Sequence, residues 1–581
     1  MKIKHLFGLA VIAAMTASCS SNEDLGTAGP GTGNNETGAS YASITIDLPT
    51  TSGTRSTEND QFDGGTASEY AVNDATLVIF EKGTETSENK YKFVESVPLG
   101  NLEPWKNVTP ANDGITTEAT VTAELKSAKV DETGGKYYAL VILNNETATG
   151  TKIKLPSAST DTYESWNVAA NSTNITDYEK GFYMANAPQF TAENVEPTTL
   201  VKIEGIYRTK EEAQSKPATT VHVERGLAKV TVGSNSTSNY FATTGANATG
   251  ANYSSDNVKI TKWALDVTNK TSFPVHVTEG LSTDYTDVWE NELNKSDRFV
   301  SAASSFKRVY WGVDPNYSNT DLNDPTKGTE RTTNFTYIKK GEISSDATDV
   351  AYCLENTFDL DNMKQGQTTR VVFKATYTPN GFTTADGSTF FKIGNHTELW
   401  SKTNLVAQIK AKAQEVLSET DADKIAVVLD AAINDVEKTA GTKILTKANV
   451  KHNGAEVTDD QINSINVKLG LKAATSTDPI VGITTYVNGE SYYIARIKHF
   501  GDDLTPWNPG DTYGTDNEKY LGRYGVLRNN WYELKVNSIS GPGYPDVPEV
   551  KPNTPDDENT KYISVSVKIL DWAKRSYTVD L

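Results

Sequence analysis

Apolar and polar side chains alternate at every second position along much of this chain, a period that half-buried strands satisfy and helices do not. Ile44, Ile46 and Leu48 alternate with Ser43, Thr45 and Asp47. The stretch Tyr562-Ile563-Ser564-Val565-Ser566-Val567-Lys568-Ile569 repeats the pattern, and Tyr577, Val579 and Leu581 resume its odd-numbered face. Further strands are expected at 75–81, 91–97, 117–125, 137–143 and 201–206, then at 221–232, 258–267, 370–377, 491–497 and 531–539. Loops rich in Gly, Asn and Pro separate them. With 581 residues there is chain enough for two to four domains, each with its own core. The fold class this predicts is mainly β.

One stretch departs from the rule. Leu405, Ile409 and Val416, then Ile425, Val428, Leu429, Ala432, Ile433 and Val436, fall at helical spacings, with Thr420 placed as an N-cap between them. This predicts a helical hairpin inserted at about 398–440, its apolar face packed on the sheet. The polar run 208–220 marks a boundary, giving an N-terminal β domain over 56–215 and a C-terminal one over 216–540. Beyond it, 541–560 carries Pro542, Pro545, Pro548, Pro552 and Pro555. Such spacing suits an extended arm, at ~3.1 Å per residue reaching on the order of 60 Å. The arm and the strand after it (541–581) are expected to stand away from their own domain, with Asp571 and Arg575 interrupting the apolar face.

The ends and the charge bear on compartment and partners. Lys2 and Lys4, an apolar run over 6–15, and Thr16-Ala17-Ser18-Cys19 describe an export leader over 1–19, too short to span a bilayer as a helix. Small residues before Cys resemble a bacterial lipobox, making Cys19 the lipid-bearing residue. Residues 20–40 read as a flexible tether. Acidic residues number 75 against 55 basic, a net charge of −20, which argues against nucleic acid as a partner. The only other cysteine, Cys353, sits in an apolar strand pattern and is expected to be a small buried hydrophobe, so neither a disulfide framework nor a Cys-based zinc site is available.

No constellation reads as an active site. The six histidines are scattered without metal-ligand spacing. The run from Asp314 to Asp324 lacks the Gly and Glu of a calcium loop and reads as turn chemistry. Acid pairs such as Glu290 with Glu292 and Asp459 with Asp460 are uninformative in so acidic a chain, and there is no GxSxG elbow or P-loop. Trp105, Trp166, Trp400 and Trp507 are better read as core or rim residues than as sugar platforms. The expectation is no catalytic residue, no cofactor and no metal.

In order along the chain stand the lipobox at Cys19, Leu48-Pro49-Thr50-Thr51-Ser52-Gly53-Thr54-Arg55, Val223-Glu224-Arg225-Gly226-Leu227-Ala228-Lys229-Val230, Tyr352-Cys353-Leu354-Glu355-Asn356-Thr357, Leu527-Arg528-Asn529-Asn530-Trp531-Tyr532, the Pro-rich spacer, and Val567-Lys568-Ile569-Leu570-Asp571-Trp572 with Ser576-Tyr577-Thr578-Val579-Asp580-Leu581. In these segments the whole chain resembles the fimbrillins, the shaft subunits of type V pili of anaerobic Gram-negative bacteria, and especially the major subunit of short fimbriae. The resemblance implies two transthyretin-like β-sandwich domains, a helical insertion in the second and a C-terminal donor arm. It also implies cleavage by an Arg-specific protease between Arg55 and Ser56, within a propeptide spanning 20–55. Ile44, Ile46 and Leu48 would then be a placeholder for Ile563, Val565, Val567 and Ile569, or for Tyr577, Val579 and Leu581, of the next subunit. A sandwich that loses an edge strand exposes apolar groove and unpaired backbone, and an alternating strand restores both. Implied partners are copies of the chain itself in a homopolymer, fimbrial tip and anchor subunits, the protease, and the outer membrane through lipid before processing. The implied location is the cell surface. The competing reading is a monomeric or pilus-tip adhesin that binds glycan or host protein.

Overall fold

The computed structural model describes residues 38–49, 65–100, 102, 106–107, 115–189, 197–232, 245–285, 299, 309–557 apart from 347, 384–386, 509 and 514, then 563–570 and 575–576. In chain order the main elements are β1 (Ser40–Pro49), β2 (Ala75–Glu81), β3 (Lys92–Pro98), β4 (Ile115–Leu125), β5 (Tyr137–Leu143), β6 (Met184–Asn186), helix α1 (Lys210–Ser215) and β7 (Thr219–Arg225). They continue with β8 (Ala228–Val232), β9 (Asn257–Asp266), β10 (Val350–Cys353), β11 (Arg370–Thr378), β12 (Phe390–Ile393), helix α2 (Lys402–Leu417), helix α3 (Asp459–Lys468), β13 (Ile483–Tyr486), β14 (Glu490–Arg496), β15 (Trp531–Ile539), β16 (Ile563–Leu570) and β17 (Arg575–Ser576). The fold is mainly β, as the alternation predicts.

The first sheet runs β3-β2-β5-β6-β7-β1-β4, ending on the short strand Lys106–Asn107. Its core draws on Ile44, Ile46, Leu77, Ile79, Leu140 and Val221, all fully buried. The second body is built from the sheet β10-β8-β15-β16-β17 and the sheet containing β9-β11-β14, which enclose Val230, Trp263, Phe373, Tyr493 and Leu534. Sequence spacing set the boundary before β7. The structure places β7 in the first sheet and changes sheet at Gly226-Leu227 instead. A side chain at Gly226 would come within 2.8 Å of the Tyr183 ring, so the crossing demands a residue without Cβ.

The insertion differs from the expected hairpin of helices. Its first half is helical: Ser401 caps α2 by accepting from the Asn404 amide at 3.3 Å, and Leu405, Ile409 and Ala413 are buried at four-residue intervals. The second half is not. Thr420 starts no helix, Ile425–Val427 pairs with Val450–His452, and Asp430–Ala431 turns back onto Asn434–Asp435. β-branched residues at 425, 427 and 428 favour the pleat, the Asp and Asn positions suit the turn, and Ile433 ends 80% exposed. The next helix is α3, capped by Thr458. Helices and strands here share a core of their own around Phe391, Leu405, Ile409, Ile465 and Ile483.

Candidate functional site

β1 is the element to which the sequence assigns a temporary role, and the structure gives it a fully walled seat. It is not at an edge. It lies between β4, antiparallel, and β7, parallel, with Ile46 opposite Ala119 on one side and Val221 on the other. Ala42, Ile44, Ile46 and Leu48 are no more than 1% exposed. The opposite face is partly covered too: Ser43, buried beneath α1, donates to the Ala213 carbonyl at 2.9 Å, and Asp47 is buried, while Thr45 is half-buried. Thr45 Oγ1 is 2.9 Å from Thr120 Oγ1, and Asp47 Oδ1 is 2.5 Å from His222 Nδ1 on β7. Removing β1 therefore uncovers one apolar stripe and two ladders of backbone donors and acceptors, a larger exposure than loss of an edge strand. Cys19, Arg55 and Ser56 lie outside the described residues.

The Pro-rich arm does not stand away from the molecule. From Gly541 to Asp557 it is strapped along the C-terminal body. Tyr493 and Tyr486 hydroxyls donate to the carbonyls of Gly541 and Gly543 at 2.8 and 2.9 Å, Tyr544 exchanges backbone hydrogen bonds with Tyr492, and Arg370 Nη2 donates to the Pro548 carbonyl at 2.6 Å. The prolines of the strap bring no N–H that would need a partner, while the Pro548 carbonyl stays free to accept. Two acids end the strap. Asp556, 2% exposed, faces Arg496 at 3.3 Å and accepts from Thr368 Oγ1 at 2.5 Å, and its burial pushes its carboxyl up to about 7. Asp557 accepts from Arg523 Nε and Nη2 at 2.9 and 2.8 Å and from the Tyr524 hydroxyl at 2.9 Å.

Beyond the strap, β16 pairs antiparallel with β15 of the same chain, Tyr532 opposite Ile569 and Val536 opposite Val565. The backbone of Ile563, Val565, Val567 and Ile569 thus lies in its own domain's sheet, where the sequence pattern expected a strand held apart. Tyr577, Val579 and Leu581 lie outside the described residues.

Three of the segments that carried the resemblance meet at the join between the two bodies. Glu69 Oε1 receives Lys229 Nζ at 2.7 Å and the Tyr352 hydroxyl at 2.5 Å, while its backbone carbonyl accepts from Arg225 Nε at 2.8 Å. Burial alone would raise the Glu69 carboxyl, but these partners hold it below its usual range. Lys229 also sits 3.9 Å over the Trp531 ring. Arg528 forks onto Glu355, with Nε 2.9 Å from Oε2, and reaches Ser272 Oγ at 2.9 Å. His276 Nδ1 lies 2.7 Å from Glu224 Oε1. Spacing along the chain gave no sign that these charges converge, because their partners are up to about three hundred residues apart.

The other singled-out residues are structural. Cys353 is buried in β10, and burial pushes its thiol up to about 12. Asp314 is buried rather than solvated, accepting from Asn316 N, Asn269 Nδ2 and Thr357 N at 2.6, 2.7 and 2.8 Å. Trp166 is buried, Trp400 and Trp507 are half-buried, and Trp105, Glu290 and Glu292 lie outside the described residues. Asp459 and Asp460 occupy the first turn of α3, where carboxylates suit the helix dipole. A cleft of about 560 Å³ is lined by Glu88, Tyr163, Asn167, Phe273, His276 and Glu279. Glu88 accepts there from the Thr199 and Leu200 amides, each at 2.9 Å, and desolvation pushes its carboxyl up to about 7. Among the described residues no group of His, Cys, Asp and Glu is placed to hold a metal ion, and no helix is long and apolar enough to cross a membrane.

Residues 484–578, which contain β14, β15, β16, β17 and the strap, match the family of major fimbrial subunit protein type IV, fimbrillin, C-terminal. The match bears out the fimbrillin resemblance. No curated protein matches the chain. Solved structures similar to it include a protein named for cell adhesion from Parabacteroides distasonis ATCC 8503, at 9% identity over 93% of this chain and 98% of that one, TM-score 0.36. A second protein named for cell adhesion, from Bacteroides eggerthii DSM 20697, is 10% identical over 93% and 98%, TM-score 0.31. A fimbrial assembly protein from Parabacteroides distasonis ATCC 8503 is 11% identical over 59% and 85%, TM-score 0.27.

Proposed function

We propose that this fimbrillin-like chain is a structural, non-enzymatic subunit of a cell-surface fimbria of type V, exported as an outer-membrane lipoprotein precursor with lipid on Cys19. In this reading an Arg-specific protease cuts between Arg55 and Ser56 and β1 leaves. The vacated seat then takes a strand from the tail (561–581) of another copy, and repetition makes the shaft, with tip and anchor subunits at its ends and adhesion or biofilm formation as its use. Head-to-tail contacts of this kind do not close, so they propagate as filaments.

The observation that carries the reading is the seat itself: β1 has backbone partners on both sides and no more than 1% exposure on its apolar face, yet joins the body through the segment containing Arg55. A lone hydrophobic strand so placed is removable only if another replaces it. Deletion of 576–581, which leaves β16 paired with β15, should yield a folded, cleavable monomer that makes no filaments under the electron microscope. Filaments from that variant would refute the role of the tail and leave the adhesin reading, for which the 560 Å³ cleft at Glu88 is the place to seek a ligand. Replacing Cys19 by Ala should abolish incorporation of radioactive fatty acid.

A further inference from the structure

The polar side of β1 is as particular as its apolar side. Three hydroxyl or carboxyl groups alternate with the buried aliphatics, and each has its own partner: Ser43 on the Ala213 carbonyl, Thr45 beside Thr120, Asp47 on His222. Asp47 is 2% exposed and its Oδ1 lies 2.5 Å from Nδ1 of a His222 side chain that is 18% exposed, so whatever fills this position faces an imidazole at a largely buried site. Residues 43–48 read Ser-Ile-Thr-Ile-Asp-Leu. Residues 576–581 read Ser-Tyr-Thr-Val-Asp-Leu, identical at four of six positions and apolar at the other two. The identities include all three residues whose side chains make the polar contacts.

Resting on the strand-exchange reading, we propose that Ser576–Leu581 of one copy occupies the place of Ser43–Leu48 in the next, in the same direction and register, with Asp580 paired to His222. Ser576 then inherits the Ala213 carbonyl, Thr578 inherits Thr120, and Val579 and Leu581 fill the positions of Ile46 and Leu48. Tyr577 adds a ring where Ile44 sits, and Val579 removes one methylene. Matching order along the two hexapeptides keeps the strand parallel to β7 and antiparallel to β4, as β1 is.

The other alternating stretch fits less well. Laying Ile563, Val565, Val567 and Ile569 over Ala42, Ile44, Ile46 and Leu48 brings Lys568 to the Asp47 position, a cation against His222. Moving it by two residues brings Ser566 or Leu570 there, and neither supplies the carboxylate. The acid at 580 therefore acts as a register pin, since a slip by one residue would turn it to the opposite face and a slip by two would leave it off His222. On this assignment β16 keeps its place in its own sheet, and only the two-residue pairing of β17 with β16 has to open.

The test uses the full chain carrying a site-specific protease sequence after Arg55, so that cutting does not depend on the natural enzyme. His222→Cys is combined with Asp580→Cys, and polymers formed after the cut are run without reductant. The expected result is a ladder of disulfide-linked chains, absent when Ser566→Cys or Lys568→Cys replaces Asp580→Cys. In the uncut chain, Asp47→Cys with His222→Cys should close an internal disulfide, which shows that the variant at 222 folds. Asp580→Ala should weaken capture of the strand about tenfold by removing the carboxylate that faces His222. Polymers that cross-link through 566 or 568 would overturn the register while leaving strand exchange intact. Failure of the otherwise unsubstituted chain to polymerise once cut would overturn strand exchange and this assignment together.

Discussion

Ile46→Ala distinguishes a strand that serves only the precursor from one that serves the filament. Ile46 is fully buried between Ala119 and Val221. The change deletes three carbons, about 2.4 kcal/mol of transfer at ~0.8 kcal/mol each, and adds a cavity contribution in a sheet that cannot collapse around one strand. The uncut chain should lose about 3 to 4 kcal/mol from the unfolding of its first sheet, which at ~2 kcal/mol per M lowers the urea midpoint by roughly 1.5 to 2 M. Circular dichroism through a urea series, with hydrogen exchange of the β4 and β7 amides to assign the transition, measures it. Filaments grown from the cut variant should match the parent in urea, because residue 46 is no longer in them. Val221→Ala, on the wall of the seat, should weaken both forms. An unchanged midpoint in the uncut variant, or filaments weakened as much as the precursor, would refute the reasoning.

Three further outcomes are expected. Asp557→Ala removes the carboxylate that Arg523 and the Tyr524 hydroxyl share, so limited proteolysis should cut within Gly541–Asp557 at least tenfold faster while the first sheet keeps its urea midpoint. Glu88 holds its proton to about pH 7 in the folded chain, whereas an unfolded carboxyl releases it near 4.5, so its contribution to stability falls as pH rises through that window and then levels off. Glu88→Gln should flatten that slope, worth no more than about 3 kcal/mol, in urea melts taken between pH 4.5 and 8. Cys353, 4% exposed with its thiol pushed up to about 12, should resist alkylation at pH 8 in the folded protein and react within minutes in urea, as mass spectrometry will show.

Period-two alternation was enough to locate most strands, because a half-buried pleat writes its burial directly into the sequence: β1, β5, β11 and β15 fall where Ile44, Val141, Val371 and Leu534 predict. The position of β1 within its sheet was not legible. Its neighbours β4 and β7 lie about seventy and one hundred and eighty residues away, and its outward face looks polar enough for solvent although α1 buries Ser43 on it. The strap misled for a similar reason. Proline spacing reports an extended backbone but not what lies beside it, and the arginines that hold it, Arg370, Arg496 and Arg523, come from strands and loops read for other purposes. The second helix of the insertion failed because six apolar residues at permissive spacings fit either period, and β-branching with Asp and Asn turns decided for strands.

The strap that ends at Asp556 and Asp557 also decides where a pull on the tail is felt. Tension on the tail is borne first by the pairing of β16 with β15; once that strand is stripped it reaches the Arg496 and Arg523 guanidiniums before any proline, and those arginines are rooted in β14 and in the loop leading to β15. The load then falls on two buried Arg–Asp contacts and on the Thr368 and Tyr524 hydroxyls that donate to the same carboxyl groups. The seventeen residues from Gly541 to Asp557 then act as a spooled reserve. They stay in place until β16 and then the clasp give way, and pay out at ~3 Å per residue, roughly 50 Å of added reach before the load falls on β15 itself.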